Sequence, residues 1–342
     1  MTTGGSGMAR ELREAPDAVR RQEVSRDAVN DLVARCRANP PRLVVTCARG
    51  SSAHAATFGK HLIERYLGIP VAAAAPNIAT VYHQPLLLEG QLLLTISQSG
   101  RSDDLVEFSR MAGIAGATTV AIVNDVGSPL AATCDIVLPM SAGPELSVAA
   151  TKTFVTALAM LLRITAAWSE DDAMSEALDR LPDRLAQAGT LDWSAPLGAL
   201  EGANSLVTIG RGPTLAIARE AALKLKETCY LHAEAFSSAE FQHGPLSLVS
   251  PLYPMIMFVP TDAAAAGMLD LAASLRAKGA AAFCAEHGEA RTDRLPVLSP
   301  DHPDVDAICQ IQSFYGLVIQ LAAMRGVDVD EPRHLQKVTR TR

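Results

Sequence analysis

The stretch "RLVVTCARGSSAHAATFGKHLIERYLG", Arg42 to Gly68, changes its period half-way along. Leu43 to Thr46 read as a buried strand, whereas Phe58, Leu62 and Tyr66 recur at i, i+4 and i+8, the spacing of one helix face. Between them lies the small, polar turn Arg49-Gly50-Ser51-Ser52, and Gly68 ahead of Pro70 ends the helix. The same strand-turn-helix grammar returns in Leu92 to Ile96 with a helix to about Ala112, and in "TTVAIVND" with "SPLAATC". A short strand, "DIVLPM", then precedes an apolar helix expected from near Ser147 to about Trp168. Apolar strands alternating with helices predict a parallel sheet covered on both faces.

The opening stretch is also repeated. "LVVTCARGSSAHAATFGKHLIE" from Leu43 is echoed by "LVTIGRGPTLAIAREAALKLKE" from Leu206, with Arg49-Gly50 falling on Arg211-Gly212. The chain therefore reads as two tandem doubly wound, flavodoxin-like α/β/α sandwiches. The expected partition is a helical arm over 1–40, a first domain over 41–170, a helical linker over 171–200, a second domain over 201–325 and a C-terminal loop over 326–342. A length of 342 residues suits two such domains.

Composition narrows the function classes. With 49% apolar and 20% charged residues the chain can bury a large core, and 4% aromatic content leaves little for a base-stacking surface. A net charge of −7 argues against general attraction to nucleic acid or anionic lipid, so a phosphate ligand must be held by local geometry. The six cysteines contain no CxxC pair and read as buried free thiols; the eight histidines show no metal-ligand spacing. No metal and no cofactor are expected. The polar start "MTTGGSGMARELREAP" is unlike a signal peptide, and no uninterrupted apolar run reaches membrane-spanning length, so a cytoplasmic protein is expected.

One polar cluster exceeds what a turn needs. In "LLLTISQSGRSDD" the strand from Leu92 runs into Ser97, Gln98, Ser99 and Ser102 just ahead of a helix. In an open parallel sheet ligands sit beyond the carboxyl ends of the strands, where helix N-termini offer free amides; this edge suits a phosphate. The turn Gly50-Ser51-Ser52 forms a second wall. The competing reading makes Ser99 or Ser102 a helix cap, with Asp103 and Asp104 complementing the dipole. Neither GxGxxG nor GxxxxGK[ST] occurs. The corresponding strand of the second half, "YPMIMFVPTDAAAAG", lacks the hydroxyls, so the ligand belongs to the first half.

Several long motifs stand in one order: "TISQSGRSDD", "NDVGSPLAATCDIVLPMSAGPELSVAATKTF", "ALKLKETCYLHAEAFSSAEFQHGPLSLV" and "DVDEPRHLQKVTRTR". Together with the duplication they resemble the double sugar-isomerase domain of glutamine:fructose-6-phosphate amidotransferase, and most of all the stand-alone glucosamine-6-phosphate deaminases of that fold. The resemblance implies that Ser52, Ser97, Gln98, Ser99 and Ser102 hold a sugar phosphate, with Val148 near the sugar hydroxyls. Ala150 stands where the family has a serine. Arg101 replaces an acidic residue, and either adds charge to the phosphate or faces solvent.

The resemblance also turns four ordinary residues into candidates. Lys224 and Glu227 share a helix face at i, i+3 and by pattern alone are a surface ion pair; by the match Glu227 moves a proton between two adjacent sugar carbons, beside Lys224. His243 in "FQHGP", otherwise a loop histidine, is implied to open the sugar ring and to come from the second subunit of a homodimer. Lys337, otherwise a solvated lysine near the C-terminus, is implied to form a Schiff base with a ketose carbonyl. No glutaminase segment precedes the first strand, so the expected reaction is hydrolytic: glucosamine 6-phosphate to fructose 6-phosphate and ammonia. A synthase using free ammonia, a ketosamine-6-phosphate deglycase and a phosphosugar-binding regulator are the alternatives.

Overall fold

The computed structural model describes residues 5–289 and 291–337. They form two compact units. The first comprises Asp17–Glu145, Lys152–Leu178 and the tail from Gln336; the second comprises the chain up to Pro16, Leu146–Thr151 and Asp179–Leu335. The units thus interleave along the chain.

The first unit is built on strands β1 (Val44–Ala48), β2 (Val71–Ala73), β3 (Leu92–Ser97), β4 (Thr118–Val123) and β5 (Ile136–Pro139). They pair in parallel in the order β2-β1-β3-β4-β5. The register Ala48↔Ile96 puts the carboxyl ends of β1 and β3 side by side, and the strand order reverses between them. Every residue of β3 is buried, as an apolar run between two helical layers requires. Phe58, from the helix Gly50–Leu62, is fully buried, and burying such a side chain contributes about 2 kcal/mol. That helix continues as a π turn, Ile63–Leu67, and ends at Gly68 in the left-handed conformation.

The second unit repeats the plan with β6 (Ser205–Gly210), β7 (His232–Ser237), β8 (Pro254–Phe258), β9 (Ala281–Glu286) and β10 (Arg294–Pro296). Their order, β10-β9-β8-β6-β7, is the same connectivity counted from β6, again all parallel. The expected pair of doubly wound α/β units is therefore present, and β8 occupies in its sheet the place of β3.

One local expectation is corrected, and two helices qualify the rest. The apolar helix expected from Ser147 begins at Lys152 and runs to Ser169. The preceding backbone is drawn off by distant carboxylates: Glu11 accepts from Leu146 N (2.5 Å) and Ser147 N (3.1 Å), and Asp330 accepts from Ser147 Oγ (3.0 Å). The Pro-bearing stretch after residue 171 is largely one helix, Asp172–Ala188, that contains Pro182. The helix Pro303–Met324 is long and apolar enough to cross a membrane, although polar residues interrupt its apolar run. It is instead a core helix of the second unit, with 78% of its apolar window buried.

All six cysteines are free. Burial pushes the thiols of Cys47 and Cys309 up to about 12, so they stay protonated and inert at neutral pH.

Candidate functional site

The first unit brings the predicted phosphate residues to one edge. Arg49-Gly50-Ser51-Ser52 leaves the end of β1, and Ser97 to Ser102 leaves the end of the adjacent β3, at the point where ligands lodge in such sheets. Gly50 adopts φ 53° and Gly100 φ 61°. At Gly100 a side chain is excluded twice over, since a Cβ would overlap the hydroxymethyl group of Ser128.

The hydroxyls divide their work. Ser97 Oγ accepts from Gly100 N (3.1 Å) and Ser99 Oγ from Arg101 N (3.3 Å), so both shape the turn while keeping a proton to donate. Ser102 occupies the N-cap of the helix Asp103–Ile114, yet its side chain makes no capping hydrogen bond. The N–H groups of Ser99, Ser102 and Asp103 have no partner among the described residues. Unsatisfied amides and a half-exposed hydroxyl at a helix start are the donors that suit an anion. Arg101 is exposed and pairs with Asp125 (2.7 Å).

Asp104 departs from the simple dipole role. It is buried, and its Oδ2 accepts Nε (3.0 Å) and Nη2 (2.8 Å) of Arg49. This pair ties the two turns of the cleft together across the switch point. Sequence reading could not separate it from Asp103, one residue earlier in the same helical turn.

Lys337 also belongs to the first unit. Its Nζ lies 2.8 Å from Oε2 of Glu145, a carboxylate with no exposed side-chain area. The segment after it, 338–342, lies outside the described residues.

The second unit carries the remaining candidates, and its candidate acid-base group sits at the other edge of its sheet. The helix Thr214–Cys229 leaves the carboxyl end of β6 and returns to the level of Ser205, where β7 begins opposite it. Glu227 is thus in the last turn, at the amino edge. Lys224, fully buried, donates to Glu227 Oε2 (2.5 Å) and lies 3.4 Å from the equally buried Glu220. Glu227 keeps 21% of its side chain exposed. Burial opposes charge on Lys224, but the Glu220 and Glu227 carboxylates outweigh it and raise its pKa above the ordinary lysine value. The pair is therefore not the surface ion pair that the i, i+3 pattern suggested. Glu220, at i−4 from Lys224, was missed in sequence, although the spacing was its signal.

His243 follows the short helix Ser238–Phe241. Its N–H donates to Glu240 O (2.9 Å), its side chain is exposed, and Gly244 follows at φ 129°, a conformation open only to glycine. Val148 and Ala150 are half-buried in the loop Leu146–Thr151, where Val148 N donates to Asp330 O (3.4 Å). Among the described residues no His, Cys, Asp and Glu cluster could hold a metal ion.

The duplicated parallel sheet and its switch-point cleft have a counterpart among known families. Residues 39–167 and 199–285 match the SIS domain. The chain belongs to the SIS-domain family. It is 34% identical to a Symbiobacterium thermophilum protein named glutamine–fructose-6-phosphate aminotransferase [isomerizing], over 96% of this SIS-domain chain but only 58% of that relative's length. A solved structure from Silicibacter pomeroyi DSS-3, provisionally named a phosphosugar isomerase, is 44% identical with a TM-score of 0.91, covering 95% of this chain and 100% of that one. The C-terminal domain of a Francisella tularensis glucosamine-fructose-6-phosphate aminotransferase is 26% identical with a TM-score of 0.84, covering 96% and 98%.

Proposed function

We propose that this SIS-domain protein is an aldose–ketose isomerase of amino-sugar phosphates that converts glucosamine 6-phosphate to fructose 6-phosphate and ammonia. The observation that carries the reading is Glu227: a partly exposed carboxylate at a helix end, held by a lysine with no exposure of its own. Moving a proton between adjacent carbons requires one base of fixed position within reach of both, and an anchored carboxylate meets that need.

In this reading the amides and hydroxyls at Gly50, Ser51, Ser52, Ser97, Gln98, Ser99 and Ser102 hold the phosphate, and Val148 and Ala150 face the sugar. His243 opens the ring as part of a homodimer, its exposure on a turn leaving it free to serve a second copy of the chain. Glu227 then takes the proton from carbon 2 and returns it to carbon 1, and the resulting ketimine loses ammonia to water or to Lys337. The reverse, synthetic direction uses the same proton transfer, and it is favoured by the aminotransferase name of the 34% identical relative.

Purified protein should release ammonia and fructose 6-phosphate in equal amounts from glucosamine 6-phosphate. Glu227→Gln should lower that rate by about a thousandfold. Ammonia release unaffected by the substitution would remove Glu227 from the chemistry. Turnover seen only from fructose 6-phosphate and ammonium would select the synthetic reading. Binding without any turnover would sink both.

A further inference from the structure

The Glu145–Lys337 contact does more than anchor a tail. Glu145 follows β5 in the loop that covers the carboxyl edge of the first sheet. Asn124, just past β4, ties that loop to the phosphate turn: its N–H donates to Gln98 O (3.1 Å), and its side chain binds Ala142 N (2.9 Å) and Gly143 O (2.8 Å). Glu145 itself is fixed on the first turn of the helix Lys152–Ser169, accepting from Thr153 N (3.0 Å) and Thr153 Oγ1 (2.7 Å). Its Oε2 then receives Lys337 Nζ at 2.8 Å. A rigid, buried carboxylate thus places one amine at the ligand edge of the sheet, 24% exposed and facing an acceptor for its proton.

We propose that Glu145 is the positioning residue and proton acceptor that makes Lys337 nucleophilic. The inference rests on the reading of Lys337 as a Schiff-base amine. An ammonium cannot attack a carbonyl, because its nitrogen has no free electron pair. Transfer of one proton to Glu145 leaves a neutral amine and a carboxylic acid. The amine adds to the ketose carbonyl carbon, the C–N bond forms, and an ammonium proton shifts to the former carbonyl oxygen. Glu145 then returns its proton to that hydroxyl, which departs as water and leaves a protonated imine beside a carboxylate. Atoms and charge balance with no other reactant. The carboxylate has no exposed side-chain area, and the pair exchanges its proton over one short contact.

Borohydride reduction in the presence of fructose 6-phosphate, read by mass spectrometry of the Lys337 peptide, tests the step. Wild type should accumulate the reduced adduct on Lys337. Glu145→Gln should form it about a hundredfold more slowly at neutral pH, and should recover as the pH rises and solvent deprotonates the amine. Its thermal stabilisation by fructose 6-phosphate should persist. A merely structural role would not yield this alkaline rescue. Trapping by Glu145→Gln at the wild-type rate, or a loss that alkali does not restore, overturns the proposal. Should that variant fail to fold, Glu145→Asp decides in its place: its shorter carboxylate should trap more slowly than wild type, and equal rates overturn the proposal. An adduct that persists in Lys337→Arg, or none in wild type, instead sinks the reading of Lys337 on which the proposal stands.

Discussion

At the carboxyl edge of the first sheet, after β3, Ser102 begins a helix without bonding it; at the carboxyl edge of the second sheet, after β6, the counterpart of β1, Thr214 begins a helix with its hydroxyl bonded on both sides. Its hydroxyl accepts from Arg211 N (3.0 Å) and reaches Phe258 O (2.6 Å), stapling the ends of β6 and β8. A Cβ on Gly210 would overlap the Thr214 backbone, so the second switch point is closed by its own chain. One topology therefore holds two chemistries. The first unit leaves donors unsatisfied at the carboxyl edge, whereas the second staples the ends of β6 and β8 there and has its buried charge, the Glu220–Lys224–Glu227 triad, at the amino edge. The parallel sheet requires a turn after each strand, but it does not require the turn to be an anion site.

The triad is where the comparison breaks most severely. Removing Lys224 leaves Glu220 and Glu227 near each other with no cation between them, and Glu220 has no exposed area. Lys224→Ala should cost about 3 to 5 kcal/mol in chemical denaturation, while Lys226→Ala, exposed on the same helix, should change little. A cost below 1 kcal/mol would show that the carboxylates do not depend on the lysine. The charge also sets an alkaline signature. Because the folded state raises the pKa of Lys224, the stability it contributes is fully present below the ordinary lysine value of 10.5 and is lost as pH climbs through the higher folded value. Wild type should therefore lose stability more steeply than Lys224→Met over that alkaline range.

Smaller effects separate the two turns of the candidate phosphate cleft. Gly100→Ala imposes both a left-handed backbone and an overlap with Ser128, whereas Gly50→Ala imposes only the backbone, with nothing within 4 Å of the new methyl. The first should cost about 3 kcal/mol and the second about 1. Equal costs, measured by thermal denaturation, would mean that Ser128 moves aside freely and that the turn is looser than its geometry.

The order of strands and helices was legible because its signal is local. Apolar runs and i, i+4 spacing lie within each β-turn-α unit, and the repeated "RG" turns aligned the two halves. What failed to show depends on partners far away in the chain. The loop before Lys152 resembles helix until Glu11 and Asp330 are seen to hold Leu146 and Ser147. Glu145 gave no hint of its importance, since its partner Lys337 lies 192 residues on. Lys224 and Glu227 were readable as a pair, but not the burial that turns the pair into an anchored carboxylate. Neither Ser99 nor Ser102 caps the helix that follows: Ser99 accepts from Arg101 N inside the turn, and Ser102 makes no capping hydrogen bond.

Two serines at helix starts make the finest test. Ser237 caps the helix Ser238–Phe241 in full, accepting from Glu240 N (3.2 Å) while Glu240 Oε2 accepts from Ser237 N (3.4 Å). Ser102 holds the same position on its helix and caps nothing. Ser237→Ala should therefore cost about 1 kcal/mol of stability, and it should loosen the turn that carries His243, whose N–H rests on Glu240 O. Ser102→Ala should cost under about 0.5 kcal/mol yet weaken binding of a sugar phosphate by roughly tenfold, the loss of one hydrogen bond to a charged group. Denaturation and titration calorimetry with fructose 6-phosphate on both variants read the two effects apart. If Ser102→Ala proves as destabilising as Ser237→Ala and binds as wild type does, its hydroxyl belongs to the helix and not to a ligand.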